Sequence, residues 1–243
     1  MHKQTVPLFA GILALFLSFA TISEAATMNN LDARQAGIVP IAAFTAKGDI
    51  ENLKTALNSG LEAGLTVNEI KEVLVQLYAY CGFPRSLNAI NTFITVLDER
   101  AAKGVADTVG REASPIPTDK SRREYGTEIQ TGLVGSPVSG RIFEFAPAID
   151  TFLKEHLFAD IFQRDVLNHQ ERELATIAAL ASIPGAEGQL GSHLTISMNV
   201  GLTEGQMRDF VTLLGTRVGM PESDTAAQQL EAVLESRAKA SGK

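Results

Sequence analysis

The chain has 243 residues, 45% of them hydrophobic and 20% charged, with 21 Lys+Arg against 28 Asp+Glu and a formal net charge of -7. This length holds one large domain or two small ones, and the composition is that of a globular protein rather than a disordered or fibrous one. The acidic balance argues against a nucleic-acid partner, and the lone cysteine, Cys81, excludes an intrachain disulfide framework or a structural zinc site of several thiolates.

In chain order, the first segment is expected to be removed. His2 and Lys3 precede an apolar run over residues 6–19, and a polar, small-residue step follows over residues 21–26. Charge, a short apolar stretch and small residues predict a secretory signal peptide, residues 1–25, with Ser23 and Ala25 at the cut site. The alternative is an uncleaved anchor, for which the run is shorter than the roughly 20 residues of a spanning helix. Export predicts a periplasmic or secreted protein in an oxidising compartment, with no stable membrane insertion after cleavage.

The mature chain reads as all-α. Its clearest helix starts at Thr66, where Thr66 and Glu69 make a capping box. Ile70, Val73, Leu74 and Leu77 then form one apolar face at helical spacing. Gly82 and Pro84 stop this helix, and Pro84 opens the next, with Leu87, Ile90, Phe93, Ile94 and Leu97 as its apolar positions. The pattern returns 137 residues later: Thr203 and Gln206 cap, Met207, Phe210, Val211 and Leu214 repeat the stripe, and Gly219 and Pro221 repeat the stop. Across residues 40–84 against 177–221, 10 of 45 positions are identical, and they concentrate at glycines, caps and one apolar stripe, which favours two copies of one module over coincidence. The first module is placed at 30–105, with helices near 32–47, 49–63, 67–81 and 85–103. The second is placed at 165–240, with helices near 169–183, 187–200, 204–218 and 224–239, the first of them capped by Asn168 and Glu171. Between them a connector, 106–164, is extended at Pro115 and Pro117, turns at 120–123, loops at 132–140 and carries one extra helix near 148–158. Modules this small are expected to pack on each other and on other chains.

The stretch from Arg172 through Glu173 to Ala181, then Gln189-Leu190-Gly191-Ser192-His193, then Asn199-Val200-Gly201-Leu202-Thr203, resembles the carboxymuconolactone decarboxylase family, the broad group that includes alkylhydroperoxidase-D-type proteins. Gly64-Leu65-Thr66 and Tyr80-Cys81-Gly82-Phe83-Pro84-Arg85 carry the same likeness in the first copy. The resemblance implies helical modules assembled into rings, commonly trimers or hexamers, and for a two-module chain a homo-oligomer with the trimer favoured. It implies a small-molecule substrate and no cofactor. Alkylhydroperoxidase-D-like members use a CxxC followed four residues on by a histidine, with a glutamate one helix earlier. Here His193 and Glu173 match the histidine and the glutamate, but Ala186 and Gln189 stand at the cysteine positions and Ala56 is the first copy's counterpart of His193. A dithiol peroxidase needs an attacking and a resolving thiol, so the pattern fits the decarboxylase branch better.

The resemblance makes His193 the general acid/base and Glu173 its orienting partner; a structural histidine and a first-turn surface carboxylate are the alternatives. His156 and His169 show no metal-ligand spacing with His193, so no metal is expected. Glu72, whose counterpart is Asp209, is either a solvated charge or a carboxylate facing the site from a module interface. Cys81 is either a buried small side chain or a reactive thiol. Tyr80 and Arg85 are candidate substrate-binding residues, Arg85 as a carboxylate anchor. The leading expectation is a cofactor-free lyase on a small carboxylated or lactone substrate. The rivals are a peroxiredoxin-like antioxidant relying on Cys81 and a non-catalytic exported ring that binds a small ligand.

Overall fold

The computed structural model describes Met1 and residues 30–242, so the expected leader falls outside the described residues apart from Met1. Every regular element described is helical. The first four are α1 (Ala33–Lys47), α2 (Ile50–Glu62), α3 (Val67–Gln76) and α4 (Tyr78–Ala102). Next come α5 (Arg122–Val134), α6 (Arg141–Phe145), α7 (Pro147–Thr151) and a π-helix (Phe152–Phe162). The last four are α8 (His169–Ala181), α9 (Glu187–Asn199), α10 (Glu204–Arg217) and α11 (Met220–Ser241).

Local chemistry accounts for the starts. Capping boxes open α3 at Thr66 and Glu69, α8 at Asn168 and Glu171, and α10 at Thr203 and Gln206, each side chain satisfying a backbone N–H that the first turn leaves free. The repeat is also present in the backbone. Helices α2 and α9 both have 13 residues, and Gly48 and Gly185 (φ 71° and 84°) and Gly64 and Gly201 (φ 91° and 99°) take the same left-handed turns at the 137-residue offset. A hydrogen bond recurs at that offset too: the Ser86 hydroxyl donates to the Leu74 carbonyl at 2.7 Å, and the Ser223 hydroxyl to the Val211 carbonyl at 2.9 Å.

Three details differ from the sequence reading. The expected 67–81 helix is broken after Gln76, where the Leu77 carbonyl accepts from both Tyr80 N–H and Cys81 N–H; the turn continues to Gly82 (φ 81°, ψ 159°), whose kink aims the rest of α4 from Pro84 onward. Within α4 the buried face is Ser86, Ala89, Phe93 and Val96, while Leu87 and Ile94 of the expected stripe lie exposed on the outside. The connector holds more helix than expected. Residues 120–123 start α5 through a capping box of Ser121 and Glu124, the helix runs to Val134 before Gly135 (φ 85°) ends it, and the expected 148–158 helix is α7 continued as the π-helix.

The two modules share one core. Ile38, Leu53, Ile70 and Leu74 of the first lie in the same apolar cluster as Leu174, Ile177, Leu190 and Phe210 of the second. Helix α1 packs on both α2 and α8, which draws the modules together through their first helices. A smaller cluster of Leu133, Leu157, Phe158, Ile161, Phe162 and Ile196 seats the connector on the second module. There α5 lies hard against the π-helix, because a Cβ at Gly126 would come within 1.7 Å of the Lys154 carbonyl oxygen.

The 72/209 carboxylate pair clasps the modules reciprocally. Glu72 on α3 binds Arg164 and Arg172, at and just beyond the lead-in to α8. Asp209 on α10 accepts from the N–H groups of Asn30 (2.8 Å) and Leu31 (3.3 Å), the lead-in to α1. Among the described residues, no helix is long and apolar enough to cross a membrane.

Candidate active site at the seam between the modules

Helix α8 carries Glu173 on a face that is buried throughout, and its side chain is only 1% exposed. A buried carboxylate is costly unless paired. Its partner comes from α9: His193 Nδ1 lies 2.8 Å from Glu173 Oε2. With Nδ1 so engaged, Nε2 is the ring nitrogen left to meet a substrate. Tyr80, from the turn between α3 and the Gly82 kink, closes the group from the other module. Its ring meets the imidazole edge to face, 5.8 Å between centroids, and it packs against both the shared core and the connector cluster. Burial, reinforced by the charge of Glu173, pushes the Tyr80 hydroxyl well above its ordinary value, so it stays protonated.

His193 and Tyr80 line a cavity of about 640 Å³. Its walls are mainly apolar, with Leu157, Phe158 and Ile196 from the connector cluster and Val138, Ile142 and Phe143 on the connector side; Gln130, Gln189, Ser192 and Thr195 supply the few polar groups. No Lys or Arg is among its lining residues. A concave, apolar space with a small number of convergent polar groups is the usual form of a small-molecule site. An open groove of about 750 Å³ lies between α5 and the start of α8, lined by Glu128, His169 and Asn199 among others, but it holds none of the dyad.

The remaining sequence candidates lie elsewhere. Glu72 is buried, not solvated: Arg164 Nε approaches it at 2.9 Å, and Arg172 Nη2 at 3.1 Å. Burial alone would raise its carboxyl, but the two guanidinium groups outweigh that and hold it below the ordinary value. Its position is the module interface, though it does not line the cavity. Cys81 donates its S–H to the Leu77 carbonyl at 3.2 Å, and burial pushes its thiol up against the weaker opposing charge of Arg85. A raised thiol is a poor nucleophile. Arg85 is exposed, faces Gly48 at the end of α1, and does not line the cavity.

Sequence reasoning missed Arg172. It is fully buried, with Nη1 donating to Gln76 Oε1 at 2.9 Å and Nη2 to the Arg164 carbonyl at 2.6 Å. The signal available was an arginine near the start of a helix whose later residues, 174–181, are all apolar or small, but its side-chain partners stand about a hundred residues away in sequence.

The sequence profile of the carboxymuconolactone decarboxylase family matches residues 14–93 and 147–232, more than half of the chain and both helical repeats. The chain belongs to that family. The first matched block reaches back into the stretch read above as a leader, and the second begins at α7, so the family's pattern takes in the π-helix as well as the second module. No curated protein matches the chain. Membership in the carboxymuconolactone decarboxylase family accords with an enzyme-type site, and the presence of a single cysteine argues against peroxiredoxin-type catalysis, which consumes one thiol to resolve another.

Proposed function

We propose that the seam is the acid–base site of a cofactor-free lyase, acting on a small, largely apolar molecule that carries a lactone or carboxyl group. The observation behind this reading is the His193–Glu173 pair at 2.8 Å on the wall of the cavity. In a decarboxylation of this kind the bond to the carboxylate carbon breaks, carbon dioxide leaves, and its electron pair stays on the substrate as an enolate spread into the lactone carbonyl. His193, as the imidazolium, delivers the proton that quenches the carbanion, and Glu173 holds the ring and stabilises its charge in between. The apolar walls would keep water from the enolate. With no Lys or Arg lining the cavity, a lactone with at most one carboxylate suits it better than a multiply charged acid.

The test is carbon dioxide release from a panel of lactone carboxylic acids. His193→Ala is expected to lower turnover by about 10²–10⁴-fold, the usual worth of a positioned acid–base group, with the circular dichroism of the helices intact. Turnover equal to wild type sinks the assignment. Cys81→Ser is expected to leave turnover unchanged; its loss would favour thiol chemistry instead.

We also propose, as finer readings, an exported homo-oligomer with the trimer favoured. The exposed Phe83, Leu87 and Ile94 on the outer side of α4 support the assembly, because an apolar helix face of this kind is ordinarily covered. Light scattering on the purified chain reads the oligomer size.

A further inference from the structure

Three buried polar atoms near the dyad make no well-formed hydrogen bond: Tyr80 Oη, Glu173 Oε1 and Arg172 Nε. The side-chain neighbour of the Tyr80 hydroxyl is the Thr176 hydroxyl, which already donates to the Arg172 carbonyl and accepts from Gln76. Buried groups of this kind are rarely left unpaired, and each that is calls for an explanation. The three differ in kind. Arg172 Nε can only donate, the Glu173 carboxylate can only accept, and the tyrosine hydroxyl does both. Arg172 and Glu173 are neighbours on α8, and Tyr80 approaches them from α4. The hydroxyl feels the charge of both, Glu173 holding its proton on and Arg172 opposing.

We infer that a buried water joins the Tyr80 hydroxyl to Arg172 Nε and Glu173 Oε1, and so completes a buried relay from the Glu72 cluster to His193. The rest of the chain of contacts is in place. Glu72 Oε2 accepts from Arg172 Nη2 at 3.1 Å, Gln76 ties the Arg172 guanidinium at 2.9 Å and the Thr176 hydroxyl at 2.9 Å, and Glu173 Oε2 meets His193 at 2.8 Å. In this arrangement Tyr80 is a positioning residue rather than a substrate ligand. By donating through the water to the far oxygen of Glu173 it shares out the negative charge that the near oxygen presents to His193, and thereby sets how readily the imidazole gains and gives up its proton. The relay crosses the modules, since Tyr80, Glu72 and Gln76 belong to the first and Arg172, Glu173 and His193 to the second.

The catalytic consequence rests on the acid–base reading above, but the relay can be read without substrate. The charged or titratable groups at the hydroxyl are Glu173 and Arg172, and those at His193 are Glu173 and Tyr80. The experiment is an NMR titration of His193 in the full chain, assigned by His193→Gln. Tyr80→Phe removes the donor, concentrates charge on the bond to the imidazole, and is expected to raise the pKa of His193 by about half a unit to one unit. Glu173→Gln is expected to lower it. A folded Tyr80→Phe protein with an unmoved His193 overturns the relay; if Glu173→Gln still shifts His193, the dyad survives that result, and if neither moves it, the dyad fails as well. Should Tyr80→Phe not fold, 3,5-difluorotyrosine at position 80 keeps the shape and strengthens the donor. The His193 pKa then falls if the relay exists, and an unmoved value overturns it.

Discussion

The two modules repeat each other in backbone and differ in chemistry. Where the second carries Glu173 and His193, the first has Ala36 and Ala56 at the same offset, and the counterpart of Tyr80 is the exposed Arg217. The glycine turns, capping boxes and serine-to-carbonyl bonds that build the scaffold are kept in both. The groups that could move a proton are present at one seam. Scaffold and site therefore obey separate requirements: the first is fixed by turns and buried faces that every copy needs, the second by a few polar side chains that only one location needs.

The clasp at Glu72 and Asp209 is the place to test that division. Glu72 neutralises a guanidinium that is entirely enclosed, whereas Asp209, among the described residues, accepts from two backbone N–H groups. Glu72→Ala strands the Arg172 charge and is expected to destabilise the fold by about 3–5 kcal/mol. Asp209→Ala is expected to cost about 1–3 kcal/mol, the desolvation penalty of unmatched backbone donors. Urea unfolding of the two variants gives both numbers, and equal losses would remove the distinction between the seams.

Acid sharpens the same contrast by a smaller amount. The Glu72 carboxyl is held lower in the folded chain than in the unfolded one. Its stabilising share is therefore complete above the unfolded value of about 4.3 and is lost as pH falls through the lower folded value. Thermal melts of wild type should drop more steeply below about pH 4 than those of Glu72→Gln, which is less stable at neutral pH but has no carboxyl to protonate there. Parallel curves would mean the ion pair contributes nothing. The smallest effect is expected at the repeated serines. Ser86→Ala and Ser223→Ala should each cost about 1 kcal/mol, and by the same amount, if the scaffold is shared.

Much of the scaffold was legible in the sequence because its signals are local. Thr66 and Glu69 stand three residues apart, and the stripe of Ile70, Val73, Leu74 and Leu77 shows its helical period within one window; all four are fully buried. Residues 120–123 read as a turn and 132–140 as a loop although Ser121 and Glu124 spell the cap of α5, because its apolar stripe is sparse, Tyr125, Ile129 and Leu133, and Gly126, which lets it touch the π-helix, looks like a breaker. The pairing of Glu173 with His193 was foreseeable only through the family likeness. Arg172 was not, since nothing near it in sequence says that a glutamate and a glutamine from the other module will enclose it. Leu87 and Ile94 kept their period but lie on the outer side, which a period alone cannot tell from the inner one.

The fused repeat has a genetic consequence. In a symmetric pair of identical single-module chains, every substitution is made twice, so a group lost from one seam is lost from its mate. Joining two modules in one reading frame lifts that tie. Each half can then mutate alone, and an alanine at position 56 costs His193 nothing. A single chain can thus keep one working seam and let the other become pure support, an inequality that a symmetric dimer could never inherit.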